Sequence, residues 1–193
     1  MYKYFARPLL FRLPADTAHD ATVRLASSVS RSSVLLNAVK SIYTHSDPAL
    51  KQNILGLTFP NPVGLAAGFD KKGTMAPLLS RAGFGFLEIG SITANASPGN
   101  PKPRSFRLPK DQSLINRLGL NNDGVQTIYR RLEKMDLPIP MGVNIAKTHD
   151  LGIVGEAAIE DYVTSFEKLK EVAEMSMQEK VTKIIEEQLG VDA

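Results

Sequence analysis

Pro62-Val63-Gly64-Leu65-Ala66-Ala67-Gly68-Phe69-Asp70-Lys71-Lys72-Gly73 is the stretch on which the fold class turns. A short apolar run ends in Gly68 and passes at once into a polar, basic loop. Two further runs have the same character, Phe84-Gly85-Phe86-Leu87-Glu88-Ile89-Gly90 and Pro140-Met141-Gly142-Val143-Asn144-Ile145. Between and after them the spacing predicts helices near 72–82, 122–134 and 157–173. Short apolar strands alternating with helices predict an α/β protein whose parallel sheet is covered on both faces. Polar residues gathered at the carboxyl ends of the strands point to part of a (β/α)8 barrel, in which the active site lies at that end. A doubly wound sheet is the structural rival.

Upstream of this region, residues 1–45 have helical spacing and no strand signal. Ala21, Leu25, Ala26 and Val29 share one helical face after Asp16, which reads as an N-cap behind Pro14. Leu9, Leu10, Phe11 and Leu13 make a second apolar cluster. Two short amphipathic helices have little to bury against each other, so their apolar faces need the next domain or lipid. Within residues 1–40, Lys3, Arg7, Arg12, Arg24, Arg31 and Lys40 face only Asp16 and Asp20, a local charge of +4. A basic, partly apolar segment of this kind suits an anionic membrane surface; a solvated helical face gives the same charge pattern.

The chain as a whole has 193 residues, 43% of them apolar, and a formal charge of +3, too small to argue for nucleic acid. With no Cys, it has no disulfide framework, no thiolate metal site and no cysteine nucleophile, which fits a reducing compartment. No stretch reaches the ~18 consecutive apolar residues of a membrane span. The first residues do not form a secretory signal, because Arg7, Pro8 and Arg12 break the apolar run. A mitochondrial presequence stays open on the Arg and Ser content up to Ser33, with Asp16 and Asp20 against it. At the other end, Ser176-Met177-Gln178-Glu179 reads as a capping box. Val181, Ile184, Ile185 and Leu189 then form an apolar stripe that Gly190 would end. This predicts a helix where a βα repeat should deliver its next strand.

Three segments can carry chemistry. The small residues Ala66, Ala67 and Gly68 let a flat ligand or a phosphate approach the backbone, and Lys71 brings a cation to the strand end. An ordinary βα loop has the same composition. Asn116-Arg117-Leu118-Gly119-Leu120-Asn121-Asn122 can present amide donors and acceptors to a heterocycle. It can equally be a turn with Asn121 or Asn122 capping the next helix. Asn144 is an amide on an apolar strand, a costly placement unless it is hydrogen-bonded, and Lys147 follows near the same strand end. Neither a Gly-x-Gly-x-x-Gly nor a Gly-x-x-x-x-Gly-Lys-Ser/Thr motif is present, and His19, His45 and His149 lack metal-ligand spacing, so no metal is expected.

Taken in order, these segments resemble class 2, quinone-dependent dihydroorotate dehydrogenases over about residues 1–173. The likeness is carried by Gly56 to Lys71, Gly83 to Ser91, Pro98 to Leu108, Leu114 to Asn122 and Gly142 to Lys147. Ala18-His19 after Pro14 resembles the membrane-docking helices that mark the class. The resemblance implies oxidation of dihydroorotate to orotate in pyrimidine synthesis, with hydride passed to FMN and electrons to a quinone. It implies FMN contacts from Ala67, Gly68, Phe69, Asp70, Lys71, Ser91 and Asn144. It implies substrate contacts from Lys71, Asn116, Arg117, Leu118, Gly119 and Leu120, and a quinone tunnel lined by His19 and Arg107. A cationic Lys71 would stabilise charge on reduced flavin, and paired amides would hold a planar pyrimidine flat for hydride transfer. The implied location is peripheral, on the cytoplasmic face of a bacterial cell membrane, or alternatively on the mitochondrial inner membrane.

After Ala173 the resemblance stops, before the strand and Asn-x-Ser-Ser-Pro-Asn-type loop that carry the serine base of class 2 enzymes. Residues 175–193 instead resemble the first helix of an acyl carrier protein, without its Asp-Ser-Leu attachment site. A junction between two genes is the favoured expectation, with a native reading frame and chance likeness as the alternative. The expected organisation is a helical extension over 1–45, an incomplete FMN-binding barrel over 46–173 and an unrelated helical tail over 174–193. Three βα units out of eight expose a sheet edge, which predicts marginal stability, a tendency to associate and no turnover by this chain alone. A non-catalytic membrane-surface fragment or fusion product is the alternative function.

Overall fold

The computed structural model describes residues 2–173, so the tail 174–193 and its expected helix lie outside the described residues. A π-helical turn, Tyr2–Ala6, leads directly into α1 (Arg7–Leu10), followed by α2 (Ala15–Val29) and α3 (Ser33–Tyr43). Pro8 stands where the π-helical turn passes into α1. The Ser32 hydroxyl caps α3 by accepting the Leu35 N–H at 3.4 Å.

The start of α2 departs from expectation. Pro14, in extended conformation, is the cap residue, and Asp16 sits inside the first turn. The Asp16 carboxylate accepts the backbone N–H of Arg104 at 2.9 Å instead of capping its own helix. The face that packs is correspondingly rotated from the expected stripe. Asp16 and Ala18 are buried, whereas Leu25 is 67% exposed. Periodicity finds apolar residues, but a polar contact 88 positions away selects the docking face.

Beyond α3 the chain forms a short antiparallel hairpin, β1 (Gln52–Ile54) and β2 (Leu57–Phe59). Its two turn residues, Leu55 and Gly56, both have positive φ, the backbone that tight hairpins require. Then come β3 (Gly64–Leu65), α4 (Ala76–Leu79) and β4 (Phe86–Ile92). A second antiparallel hairpin, β5 (Ser105–Leu108) and β6 (Ser113–Asn116), precedes α5 (Val125–Leu132), β7 (Met141–Ile145) and α6 (Glu156–Leu169). The three expected strands are all present and pair in parallel in the order β3-β4-β7. Neither hairpin is expected from the sequence, because its strands are only three or four residues long and only one strand of each pair, β2 and β5, alternates apolar with polar residues.

The core lies on one face of this sheet. Leu87 and Ile89 project from alternate positions of β4, so Phe86 and Glu88 lie on the opposite face. Helix α5 closes the core with Val125, Ile128 and Leu132, spaced to share one stripe, and α6 adds Leu169. The polar seam of α6 is also used: Asp161, buried, accepts the Thr148 N–H at 2.9 Å and ties the loop after β7 to the helix.

Two outcomes follow from this packing. Ile128, with 0% exposure, should lose about 2–5 kcal/mol of stability on truncation to Ala, whereas the exposed Ile159→Ala should change it by less than about 0.5 kcal/mol in urea denaturation. The Arg104 N–H, and secondarily Ser105, Lys102 and Arg104 side-chain groups, hold the Asp16 carboxyl below its ordinary range despite burial. Its stabilising contribution is therefore complete above that range and is lost as pH falls through the lowered value. Asp16→Ala should speed amide exchange along α2 and at Arg104 without altering β4, and acidifying the wild-type protein should give the same pattern.

Candidate functional site

Parallel pairing brings the carboxyl ends of β3, β4 and β7 to one side of the sheet. The loop after β3 is organised by Asp70. This carboxylate is 3% exposed and accepts the backbone N–H groups of Lys72 at 3.3 Å, Thr74 at 3.1 Å and Met75 at 2.7 Å. Its side chain is thus spent on building the loop, and only its backbone faces outward chemistry. Gly68 donates its N–H to the Gly90 carbonyl at 2.7 Å, and Gly90 donates to the Asp70 carbonyl at 3.1 Å. These bonds stitch the loop to the end of β4. Gly68 has φ +99°, and nothing lies within 4 Å of where a Cβ would stand. The open space beside that backbone admits a flat ring.

Lys71 donates to the Gly68 carbonyl at 2.5 Å. Burial, followed by the charge of Arg104, pushes its ammonium below the ordinary lysine value, while Asp70 opposes the shift. On the neighbouring strand ends, the Ser91 hydroxyl donates to Asn144 Oδ1, and Asn144 Nδ2 donates to Glu88 Oε1 at 3.4 Å. The amide of Asn144 is therefore satisfied within the protein, so its placement on a strand does not by itself demand a ligand.

A cavity of about 1090 Å³ opens between α1, α2, the loop after β3 and the second hairpin. Its wall takes Gly68, Phe69 and Lys71 from the loop and Asn116 and Leu118 from the end of the hairpin. From the opposite side come His19 of α2 and Arg107 of β5. Residues expected to serve three different ligands thus share one space. Ala67, Asp70, Ser91 and Asn144 are not on its wall. Arg117 turns away, its guanidinium donating to the Pro103 carbonyl at 3.3 Å. Gly119 and Leu120 form the bend behind the wall, at φ +75° and +51°. The left-handed backbone of Leu120 costs a residue with a side chain about 1–2 kcal/mol and has to be held by its surroundings.

Arg107 does more than line the cavity. It donates to the Leu13 carbonyl at 2.8 Å and stands 4.6 Å from the centre of the Phe11 ring, tying the α1–α2 junction to β5. His19 lies 3.3 Å from Asp20, which pairs with Lys102 at 2.5 Å. Asp16, Asp20 and Lys102 went unnoticed as partners in the sequence, since residues more than 80 positions apart show no local signal. Asn122 is the other residue whose role the sequence left open. The N-cap of α5 is Gly124, with no side-chain cap, and neither Asn121 nor Asn122 caps the helix. The amide of Asn122 instead brackets Thr93, Leu120 and Gly124.

The donor set suits a planar ring that takes on negative charge: a glycine backbone without a side chain, a half-buried ammonium and an amide across a mostly apolar space. These are groups that would fit FMN. Among the described residues no His, Asp or Glu cluster could hold a metal ion, and no helix is long and apolar enough to cross a membrane.

The family model described as dihydroorotate dehydrogenase matches residues 49–177. The chain is 45% identical over 172 residues to a Chloroflexus aurantiacus protein named dihydroorotate dehydrogenase (quinone), covering 87% of this chain and 47% of that one. It is 46% identical over 166 residues to a Haloarcula marismortui protein of the same name, covering 86% and 47%. The chain therefore spans about half the length of the curated relatives it matches. The ligand-free crystal structure of the Eimeria tenella enzyme superposes with a TM-score of 0.66 at 36% identity, covering 82% of this chain and 43% of that one. The family match, the identity to curated relatives and the superposition agree, and this chain belongs to the dihydroorotate dehydrogenase family.

Proposed function

We propose that this chain supplies the FMN- and dihydroorotate-binding part of a quinone-dependent dihydroorotate dehydrogenase. The observation that carries the reading is the single cavity joining Gly68, Lys71 and Asn116 to His19 and Arg107. The reaction is oxidation of dihydroorotate to orotate in pyrimidine synthesis, with a quinone as final acceptor. FMN, when bound, would supply the hydride acceptor and the relay of electrons to that quinone. Gly68, Phe69 and the backbone of Ala67 and Asp70 would lie along the ring, with Ser91 and Asn144 at the strand ends. Lys71, its ammonium partly desolvated, would stand where the ring gathers negative charge on accepting hydride and would stabilise that charge. Asn116 to Leu120 would hold the carboxylate and amide edges of the pyrimidine. His19 and Arg107 would line the path of the quinone between helices and hairpin.

The three parallel strands follow chain order without the reversal of a doubly wound sheet, which favours part of a (β/α)8 barrel over 46–173. Residues 1–45 form the membrane-docking extension in this reading, and 174–193 a separate tail. Tyr4, Phe5, Leu9, Val34, Leu35 and Ile42 are exposed on the extension, among the basic residues counted above. That surface suits peripheral binding to an anionic membrane, such as the cytoplasmic face of a bacterial cell membrane or the mitochondrial inner membrane. The same exposed residues favour the second reading, a non-catalytic membrane-surface module. By the family resemblance, proton abstraction from dihydroorotate belongs to a serine loop that has no counterpart among residues 1–173.

Anaerobic flavin absorbance decides between these readings. FMN should bind the purified chain, and Lys71→Ala should weaken that binding about tenfold, the loss of one charge-assisted contact. Residues 1–173, which carry no counterpart of the serine loop, should bind dihydroorotate beside the flavin with little bleaching of its absorbance. Rapid bleaching would overturn the assignment of the base, and absence of FMN binding would leave the membrane-surface module as the function.

A further inference from the structure

We infer that Asn122 is a positioning residue that holds the substrate segment Asn116–Leu120 in register with the end of β4. The inference rests on the dihydroorotate reading proposed above. Asn122 is 3% exposed, and no ligand can reach its amide. Its Nδ2 donates to Thr93 Oγ1 at 2.9 Å and to the Leu120 carbonyl at 2.7 Å. Its Oδ1 accepts the Gly124 N–H at 2.9 Å and the Thr93 N–H at 3.5 Å. Both amide protons and both acceptor positions are thereby used. Its backbone adds a reciprocal pair with Ser97, each N–H donating to the other carbonyl at 3.0 Å.

Three parts of the site meet at this one amide. Thr93 stands two residues after Ser91, where β4 delivers its flavin-side residue. Leu120 ends the substrate segment in a left-handed backbone, at φ +51°, which persists only under outside restraint. Gly124 begins α5, and the Val125 N–H donates to the Thr93 carbonyl at 2.9 Å, so the helix is bound to the same strand end. The bond from Nδ2 to the Leu120 carbonyl supplies the restraint on the bend, and the bond to Thr93 Oγ1 transmits the position of the strand. The distance between the flavin side and the pyrimidine side is set through this bracket. An aspartate at 122 keeps the acceptor for Gly124 but turns an oxygen toward the Thr93 and Leu120 oxygens, which removes both donor bonds.

The test uses the full chain loaded with FMN, with orotate as the probe, read by perturbation of flavin absorbance. Asn122→Asp should weaken orotate binding by about tenfold or more while FMN affinity stays within about twofold of wild type. Thr93→Val removes only one hydroxyl from the bracket and keeps the shape. It should weaken orotate by a smaller factor, about threefold, and it carries the test if Asn122→Asp does not fold. In both variants, amide hydrogen exchange should rise at Leu118 to Leu120 with β4 protection retained. Orotate affinity within about twofold of wild type in the folded variants, with lowered melting temperature alone, would show a merely structural residue and overturn the inference. If the wild-type chain binds neither FMN nor orotate, the dihydroorotate reading falls, and unchanged exchange at 118–120 in the variants would separately refute the positioning role.

Discussion

β4 is hydrogen-bonded along both edges, to β3 through Gly64↔Phe86 and Leu65↔Leu87 and to β7 through Leu87↔Met141, Glu88↔Gly142 and Ile89↔Val143. Everything described at the candidate site hangs on this double pairing. Parallel register brings three strand ends to one side, so that the loop after β3, Ser91 on β4 and Asn144 on β7 become neighbours. The same alternation that buries Leu87 and Ile89 against α5 sends Glu88 to the other face, within reach of Asn144. Core and site are thus two faces of one strand, and a slip by one residue would exchange them.

The helical extension is held differently. Its seam with the hairpin is polar: Asp16 on the Arg104 N–H, Asp20 on Lys102, and Arg107 on the Leu13 carbonyl. Ser27 adds a hydroxyl contact with Thr74 at 3.0 Å on the other side of α2. Hydrogen bonds at the rim leave the space between free of packed side chains, and a cavity remains where tightly packed apolar faces would have closed it. Apolar residues on the outer side of the extension remain exposed. The inward face of the extension is thus mixed, with polar ties at the rim and apolar Leu10, Phe11, Ala18 and Val23 lining the cavity, while further apolar residues stay on the outer surface.

Much of this could be read from the residues. The three apolar runs at 62–67, 84–90 and 140–145 announced the strands because short apolar segments bounded by Gly or Pro have few other uses. Lys71 and Asn116 stood out because a cation and an amide at strand or loop ends suit a ligand, and the structure places both on one cavity wall. Asn144 stood out for a sound reason, the cost of a buried amide, yet Ser91 and Glu88 meet that cost from within. Asp16 reads as a cap because its true partner, Arg104, is far off in the chain, and the two hairpins give little signal because their strands are short and mostly exposed and only one strand of each pair alternates.

By itself the sequence determined the α/β class, the order of the three parallel strands and the helices between them, and the candidate segments for a ligand site. Those properties follow from local periodicity and from residue types within a few positions of each other. Only the tertiary structure decided which face of α2 docks, that His19 and Arg107 share a cavity with Lys71 and Asn116, and that Asn122 brackets Thr93 to Leu120. The physical reason is the range of the interactions. Each of those outcomes rests on hydrogen bonds or shared space between groups far apart in the chain, whose partners are chosen by how the elements pack.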